Sequence, residues 1–190
     1  EKMMQKHFIS AGDLLRDSFL LGQKIIESGF RPDFIVGIWR GGTPVGIAVQ
    51  ELLDYTGIAT DHVAIRTSYY TGIADTADAV QVHGLGYLVR KINREDALLI
   101  VDDVLDSGNS IEAVINDLQS RCRRNMPKDL RVATCWYKPE KNQTGRVPDY
   151  YVHETDQWLV FPHELQGLTK EEVRTGKTEI SDIVMSLNKS

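Results

Sequence analysis

Residues Leu98–Ser110 read LLIVDDVLDSGNS, and the rest of the chain is best interpreted from this stretch. It starts with an apolar run, Leu98–Val101, of the kind that forms a strand buried on both faces. It ends in a polar turn, Ser107–Ser110, after which apolar residues follow at helical spacing from Ile111. Between the strand and the turn lie three carboxylates, those of Asp102, Asp103 and Asp106. Core packing gives no reason for three acids there, so the stretch predicts a functional site.

A strand that leads through a small-residue turn into a helix forms an anion site. The first N–H groups of the helix lack intrahelical partners, and the helix dipole adds partial positive charge. The hydroxyls of Ser107 and Ser110 add donors, and Gly108 lets a phosphate approach the backbone closely. The acids need other partners, such as ribose hydroxyls, hydrated Mg²⁺ or a developing cation. The pattern favours a sugar phosphate that becomes positive during reaction; a plain strand–turn–helix with a solvated acidic turn is the alternative.

Two other phosphate-handling folds fit this stretch less well. A Walker A loop requires Gly-Lys-Ser/Thr, and the stretch contains no lysine. A response-regulator receiver has paired acids and a Lys-Pro, present here as Lys138-Pro139. Its acid pair follows the first strand, however, whereas here the pair is in the middle of the chain.

Composition limits the class of protein. The chain has 190 residues, 42% hydrophobic and 26% charged, which is ordinary for one globular domain. A net charge of −5 argues against nucleic acid or an anionic membrane as a partner. No run approaches the roughly 20 apolar residues of a membrane helix, and no signal-peptide core is evident. Cys122 and Cys135 lack CxxC spacing and the five histidines are scattered, so we expect free thiols, no zinc site and a cytoplasmic location.

A second strand–turn–helix precedes the first along the chain. Asp33–Trp39 predicts a strand, which leads into Arg40-Gly41-Gly42 and a helix that extends to about Tyr55. A second anion site is therefore plausible there, with a tight turn as the alternative. A helix from Ser10 to about Ser28 and further strands at 62–67 and 130–137 complete an alternating pattern. Such alternation predicts an α/β fold with a doubly wound parallel sheet and ligand loops at the carboxyl ends of the strands.

The segment VDDVLDSGNS resembles the 5-phosphoribosyl-1-pyrophosphate (PRPP) signature of the type I phosphoribosyltransferases. The departures are Ser107, where threonine is frequent, and Asn109, where glycine or lysine often occurs. The resemblance covers about residues 33–164 and implies the type I phosphoribosyltransferase fold, a parallel sheet with a small hood. We therefore expect a single domain with a core at about 10–137, a hood at about 138–164 and a C-terminal helical tail at about 168–188.

The resemblance also implies roles for the residues of these turns. The PRPP phosphate is expected on the loop made by Ser107, Gly108, Asn109 and Ser110. Asp102 and Asp103 are expected to hold ribose and Mg²⁺, directly or through water, and Asp106 to act as the general base. The sequence WRGG is similar to the family's pyrophosphate loop, which assigns pyrophosphate to Arg40, Gly41 and Gly42 and makes Trp39–Arg40 a candidate cis peptide. Ser68 and Tyr69 resemble the start of a mobile lid loop over about residues 68–86, with a surface hairpin as the alternative.

Two further segments resemble the base-binding elements of 6-oxopurine phosphoribosyltransferases. In WYKP, Lys138 would donate to the purine O6; in DQWLVFPHE, Trp158 would stack on the base, and carbonyl groups near Leu159 would read its exocyclic edge. His163 stands where the xanthine–guanine branch often has tryptophan. Without the resemblance, this second segment is best explained as aromatic packing.

The resemblance implies Mg²⁺-dependent conversion of PRPP and hypoxanthine, guanine or xanthine into a nucleoside 5′-monophosphate and pyrophosphate. It also implies a homo-oligomer, dimer or tetramer. Two alternatives stay open: a non-catalytic PRPP- or nucleotide-sensing regulator of the same fold, and an enzyme for a different base. In the tail, Thr169 and Glu172 predict a capping box, and an apolar stripe from Ile180 to Leu187 packs on either the hood or a partner subunit.

Overall fold

The computed structural model describes residues 5–69 and 80–187, and the chain divides into two compact units. The larger unit comprises residues 15–156, and the smaller is built from the described parts of 1–14 and 157–190. The strands are β1 (Lys6–Phe8), β2 (Phe34–Trp39), β3 (Asp61–Tyr69), β4 (Val80–His83), β5 (Ala97–Leu105), β6 (Asp129–Tyr137), β7 (Tyr150–Glu154) and β8 (Trp158–Val160). The helices are α1 (Ala11–Glu27), α2 (Gly42–Tyr55), α3 (Gly86–Lys91), α4 (Asn109–Cys122), α5 (Lys170–Gly176) and α6 (Ser181–Leu187).

The described strands of the larger unit form a six-stranded sheet in the order β4-β3-β2-β5-β6-β7. All neighbouring pairs in it are parallel except β3 and β4, which are antiparallel. This architecture confirms the predicted α/β fold with a mostly parallel sheet. No helix among residues 5–69 and 80–187 has both the length and the apolar character needed to cross a membrane.

Helices cover both faces of the sheet, which explains the apolar run in β5. Leu98 and Ile100 pack in a cluster with Leu88 of α3 and Leu118 of α4. On the opposite face, α2 packs against β2 and β5. The whole run Leu98–Val101 is 0% exposed, because alternate side chains enter opposite layers. Burial of this run on both faces, predicted from its apolar composition, is confirmed.

Two strands differ from the sequence-based expectation. We expected β5 to end at Val101, but it continues to Leu105, because β6 stays paired with it as far as Tyr137. The acid pair therefore belongs to a strand rather than to a turn. Tyr150–Glu154, which we expected within the hood, instead forms the edge strand β7, parallel to β6.

The segment expected to be an irregular lid has ordered ends. β3 extends through Tyr69, and it pairs with β4 in the register Thr67↔Val82 and Tyr69↔Val80. The stem of a hairpin thus replaces the irregular structure expected for residues 68–69 and 80–83. Of the rest of the expected lid, residues 70–79 lie outside the described residues, and residues 84–86 lead into α3.

The smaller unit contains the parallel pair β1–β8 and the two C-terminal helices. α5 starts with the predicted capping box: Thr169 Oγ1 accepts from the Glu172 backbone N–H, and the Glu172 side chain accepts from the Thr169 N–H. In α6, the side chains of Ile183 and Leu187 are 59% and 77% exposed. These two members of the predicted stripe therefore do not pack on the hood within the described chain.

Candidate active site

Two neighbouring strands bring the predicted pyrophosphate loop beside the predicted acid pair. β2 and β5 are adjacent and parallel, with Gly37 opposite Val101. Their carboxyl ends therefore lie at the same edge of the sheet. β2 leads into Arg40, which is exposed, and the Trp39–Arg40 peptide bond is cis.

The two glycines of this loop touch β5 so closely that no larger residue fits. A Cβ on Gly41 would overlap the carboxylate of Asp103. A Cβ on Gly42 would lie 2.5 Å from the Val101 carbonyl oxygen and 2.9 Å from the Asp102 Cα. The WRGG sequence is therefore explained by the close approach of the loop backbone to the acid pair.

The acid pair is largely withdrawn from solvent. Asp103 is 8% exposed, and its backbone N–H donates to Asp102 Oδ1 over 2.9 Å. Burial, with the adjacent charge of Asp103, raises the pKa of the Asp102 carboxyl well above its ordinary range. Carboxylate oxygens are the ligands that Mg²⁺ prefers, and a divalent cation would offset the repulsion between these two groups. The donor set of Asp102 and Asp103 thus fits a magnesium ion.

The predicted phosphate loop lies at the start of α4. Gly108 has φ +84°, in the left-handed region that favours glycine, and Asn109 donates its backbone N–H to Ser107 Oγ over 3.2 Å. Among the described residues, the N–H groups of Gly108, Ser110 and Ile111 make no hydrogen bond to protein. Free N–H groups at a helix start are the arrangement that the predicted anion site requires.

A pocket of about 100 Å³ lies against this turn. Its lining includes Asp102 and Asp106 from the acidic stretch, Ser107, Gly108 and Ser110 from the phosphate loop, and Tyr69 from the end of β3. The structure thus brings two of the acids and three residues of the predicted phosphate loop around one space. Ser68 is held within the hairpin, where its hydroxyl lies 3.2 Å from His83 Nε2.

Asp106 and Lys138, predicted to have separate roles, form an ion pair. Lys138 Nζ donates to Asp106 Oδ2 over 3.1 Å. The lysine follows β6, is 8% exposed, and donates its backbone N–H to the Leu105 carbonyl. The Asp106 side chain remains 51% exposed, so it is accessible to a ligand.

Sequence reasoning missed a loop that supports the phosphate turn. Gln143 donates its backbone N–H to the Ser107 carbonyl over 2.9 Å and accepts from the Asn109 side-chain amide over 3.3 Å. Thr144 lies against Gly108, whose hypothetical Cβ would be 2.5 Å from Thr144 Oγ1. The backbone N–H and the side-chain amide of Asn109 thus both make hydrogen bonds within these loops. The presence of asparagine, where glycine or lysine is usual, was the one sequence signal of this contact.

The predicted base-stacking segment belongs to the smaller unit. Trp158 is 45% exposed, and the Lys6 ammonium lies 5.0 Å from the centre of its indole ring. Leu159 is 5% exposed and pairs with His7 of β1. A shared base site of these residues with Lys138 stays a prediction.

The site combines a helix start of the kind that binds anions with a buried acid pair at the carboxyl edge of a doubly wound sheet. This combination is typical of domains that bind phosphorylated sugars or nucleotides. Residues 17–166 match the sequence model of the phosphoribosyl transferase domain. The chain belongs to this family, as the resemblance of VDDVLDSGNS indicated, and the family supports a pentosyltransferase activity.

Solved structures give the same fold. The purine phosphoribosyltransferase of Pyrococcus horikoshii is 27% identical, with a TM-score of 0.66 over 87% of this chain and 98% of that one. A Neisseria gonorrhoeae protein with bound ppGpp is 22% identical, with a TM-score of 0.73 over 94% and 99%. The xanthine-guanine-hypoxanthine phosphoribosyltransferase of Helicobacter pylori is 21% identical, with a TM-score of 0.67 over 92% and 99%. No curated protein sequence matches the chain.

Proposed function

We propose that this protein transfers the 5-phosphoribosyl group of PRPP to a 6-oxopurine base, hypoxanthine, guanine or xanthine, in the presence of Mg²⁺. The products are the nucleoside 5′-monophosphate and pyrophosphate. The observation that carries the proposal is the pocket at the start of α4, where free backbone amides lie beside Asp102 and Asp106. The similarity to a purine phosphoribosyltransferase supports the class of base.

In this proposal, PRPP binds through both of its phosphorylated ends. The N–H groups of Gly108 and Ser110, with the hydroxyls of Ser107 and Ser110, hold the 5′-phosphate. Arg40 and the amides of Gly41 and Gly42 hold the pyrophosphate. Because the 5′-phosphate is remote from the reacting bond, its binding energy serves to position C1 for attack.

The acids serve the sugar and the base. Asp102 and Asp103 orient the ribose hydroxyls and hold Mg²⁺, which when bound supplies positive charge against the leaving pyrophosphate. The purine nitrogen attacks C1 as the bond from C1 to the pyrophosphate oxygen breaks, and Asp106 accepts the proton from N7. Lys138, already paired with Asp106 over 3.1 Å, donates to O6. Trp158 stacks on the base, and carbonyl groups near Leu159 read its exocyclic edge.

The test combines PRPP and Mg²⁺ with hypoxanthine, guanine, xanthine or uracil in turn and measures pyrophosphate release. We expect turnover with at least one 6-oxopurine and none with uracil. Asp106→Asn should lower turnover by about 10²- to 10⁴-fold, the usual span for loss of a general base, while PRPP binding is largely kept. Asp117→Asn, which changes a half-exposed acid on helix α4 outside the proposed site, is the matched control and should leave turnover unchanged.

Two outcomes would contradict the proposal at different levels. Turnover by Asp106→Asn close to that of the wild type would show that another group takes the proton. Binding of PRPP without product from any base would favour the second candidate, a nucleotide-sensing regulator of the same fold. Because a similar structure from Neisseria gonorrhoeae contains bound ppGpp, the regulator is tested by measuring ppGpp binding to this protein by calorimetry.

We also propose that the protein acts in the cytoplasm as a homo-oligomer, either dimer or tetramer. Cys122 and Cys135 are buried free thiols, which supports a reducing compartment. Sedimentation equilibrium measures the mass of the assembly, and a monomer at working concentrations would refute the oligomer.

A further inference from the structure

We infer that Lys6 is a positioning residue for base binding. Its ammonium holds the indole of Trp158 in place, and the carboxylate of Glu172 in helix α5 holds the ammonium. This inference rests on the proposed function, in which Trp158 stacks on the base. It assigns a role to the C-terminal tail, which the sequence left open.

Strand pairing makes Lys6 and Trp158 neighbours. β1 and β8 run parallel, with Lys6 directly opposite Trp158 in the register. Side chains at paired positions point to the same face of a sheet and lie within contact distance. The Lys6 ammonium lies 5.0 Å from the centre of the indole ring, within the range of a cation–π interaction.

The ammonium of Lys6 is itself fixed by oxygen atoms of the tail. Its Nζ donates to Glu172 Oε1 and Oε2, each over 2.9 Å, and to the Gly167 carbonyl over 3.2 Å. Only 17% of the Lys6 side chain is exposed, so solvent competes little for these contacts. Glu172 is held in turn by the capping box with Thr169 at the start of α5. The chain of contacts therefore runs from α5 through Lys6 to Trp158.

This arrangement leaves the indole with one occupied side. Lys6 lies over the ring, and Trp158 nevertheless stays 45% exposed, so ring surface remains available to a ligand. An aromatic ring held in one rotamer loses less conformational freedom when a base stacks on it. Lys6 should thus lower the KM for the base without touching the base or PRPP.

The kinetic test compares Lys6→Met, Lys6→Arg and a matched control. Lys6→Met keeps an unbranched side chain one atom shorter and removes its charge, and we expect the KM for the base to rise about 3- to 10-fold. The KM for PRPP should not change. In Lys6→Arg, the KM for the base should stay close to that of the wild type, since guanidinium groups also stack on indole. Lys128→Met breaks a comparable but exposed ion pair, 2.8 Å to Glu95, and should leave every constant unchanged.

An independent readout follows the indole itself. With 5-fluorotryptophan incorporated, the ¹⁹F resonance of Trp158, identified by its loss in Trp158→Phe, should shift in Lys6→Met, and the signals of Trp39 and Trp136 should not. An unmoved Trp158 resonance, or a base KM in Lys6→Met equal to that of Lys128→Met, would overturn the inference. A shifted resonance without turnover of any base would refute the proposed function and the role of Lys6 in base binding, while the contact between Lys6 and Trp158 would stand.

Discussion

Gly108 is the position at which the backbone geometry of the phosphate loop is most open to test. Its φ of +84° belongs to the left-handed region, and a Cβ there would lie 2.5 Å from Thr144 Oγ1 and 3.2 Å from Thr144 Cγ2. Thr144 cannot swing away freely, because its hydroxyl donates to Asn142 Oδ1 over 3.1 Å. Gly108→Ala therefore meets both an unfavourable backbone conformation and a neighbouring side chain.

The expected magnitude follows from these two effects. A non-glycine residue in the left-handed region costs about 1–2 kcal/mol. If the loop relieves this strain by moving, the cost falls on PRPP binding, and 1–2 kcal/mol corresponds to about a 5- to 30-fold rise in the KM for PRPP. The contact with Thr144 adds to the displacement, so we expect the upper part of that range. Gly108→Ala combined with Thr144→Ala should recover part of the loss.

Gly57 provides a matched control for the cost of placing alanine in the left-handed backbone conformation. It has φ +85°, almost the same as Gly108, and nothing lies within 4 Å of its hypothetical Cβ. Gly57→Ala should therefore lower the free energy of unfolding by about 1–2 kcal/mol while leaving the KM for PRPP unchanged. Steady-state kinetics and urea unfolding of both variants give the comparison. Equal PRPP constants in Gly108→Ala and Gly57→Ala would refute the assignment of the phosphate to this loop.

Three further predictions concern other parts of the molecule. Gly41→Ala should lower kcat by at least about 10-fold, because its Cβ displaces Asp103 and a shift near 1 Å at a reacting centre is costly; steady-state rates at saturating PRPP measure this. Burial raises the pKa of the Cys135 thiol to about 12, so at pH 8 it should not react with Ellman's reagent until urea unfolds the protein; rapid labelling of the native state would contradict this. Thr169→Ala should lower the free energy of unfolding by about 1 kcal/mol through loss of the helix cap, as seen in urea melts, and an unchanged midpoint would show that the cap is dispensable.

Local patterns in the sequence were sufficient to predict most of the helices and the buried part of the central strand β5. The apolar run at Leu98–Val101 and the capping residues Ser10 and Thr169 act over a few neighbouring positions, so they can be read from the sequence. The turn between β5 and α4 was also predictable, because a glycine turn between a strand and a helix has a definite geometry; phosphate binding by this turn stays a prediction.

Other features depend on partners that are distant in the sequence. β5 continues past Val101 because β6 lies beside it, and no local signal in the acidic stretch indicates that pairing. The loop at Gln143 contacts Asn109 across 34 positions of the chain, and a polar composition alone suggests a solvated loop. Lys6 meets Trp158 through the pairing of β1 with β8, which periodicity could not reveal.

Because β2 and β5 are adjacent, the edge of the sheet that carries the candidate site should tolerate substitutions elsewhere in the molecule. Neighbouring strands are held about 4.8 Å apart by their backbone hydrogen bonds, whatever side chains they carry. The ladder between these strands ends at Gly37 and Val101, just before the loop at Gly41 and the acid at Asp102, so substitutions in the helical layers leave the main-chain spacing at this edge in place. Substitutions in the helical layers around Val49 or Leu118 can therefore change the melting temperature without changing the distance between the loop and the acids. Those layers are where stabilising substitutions should be sought.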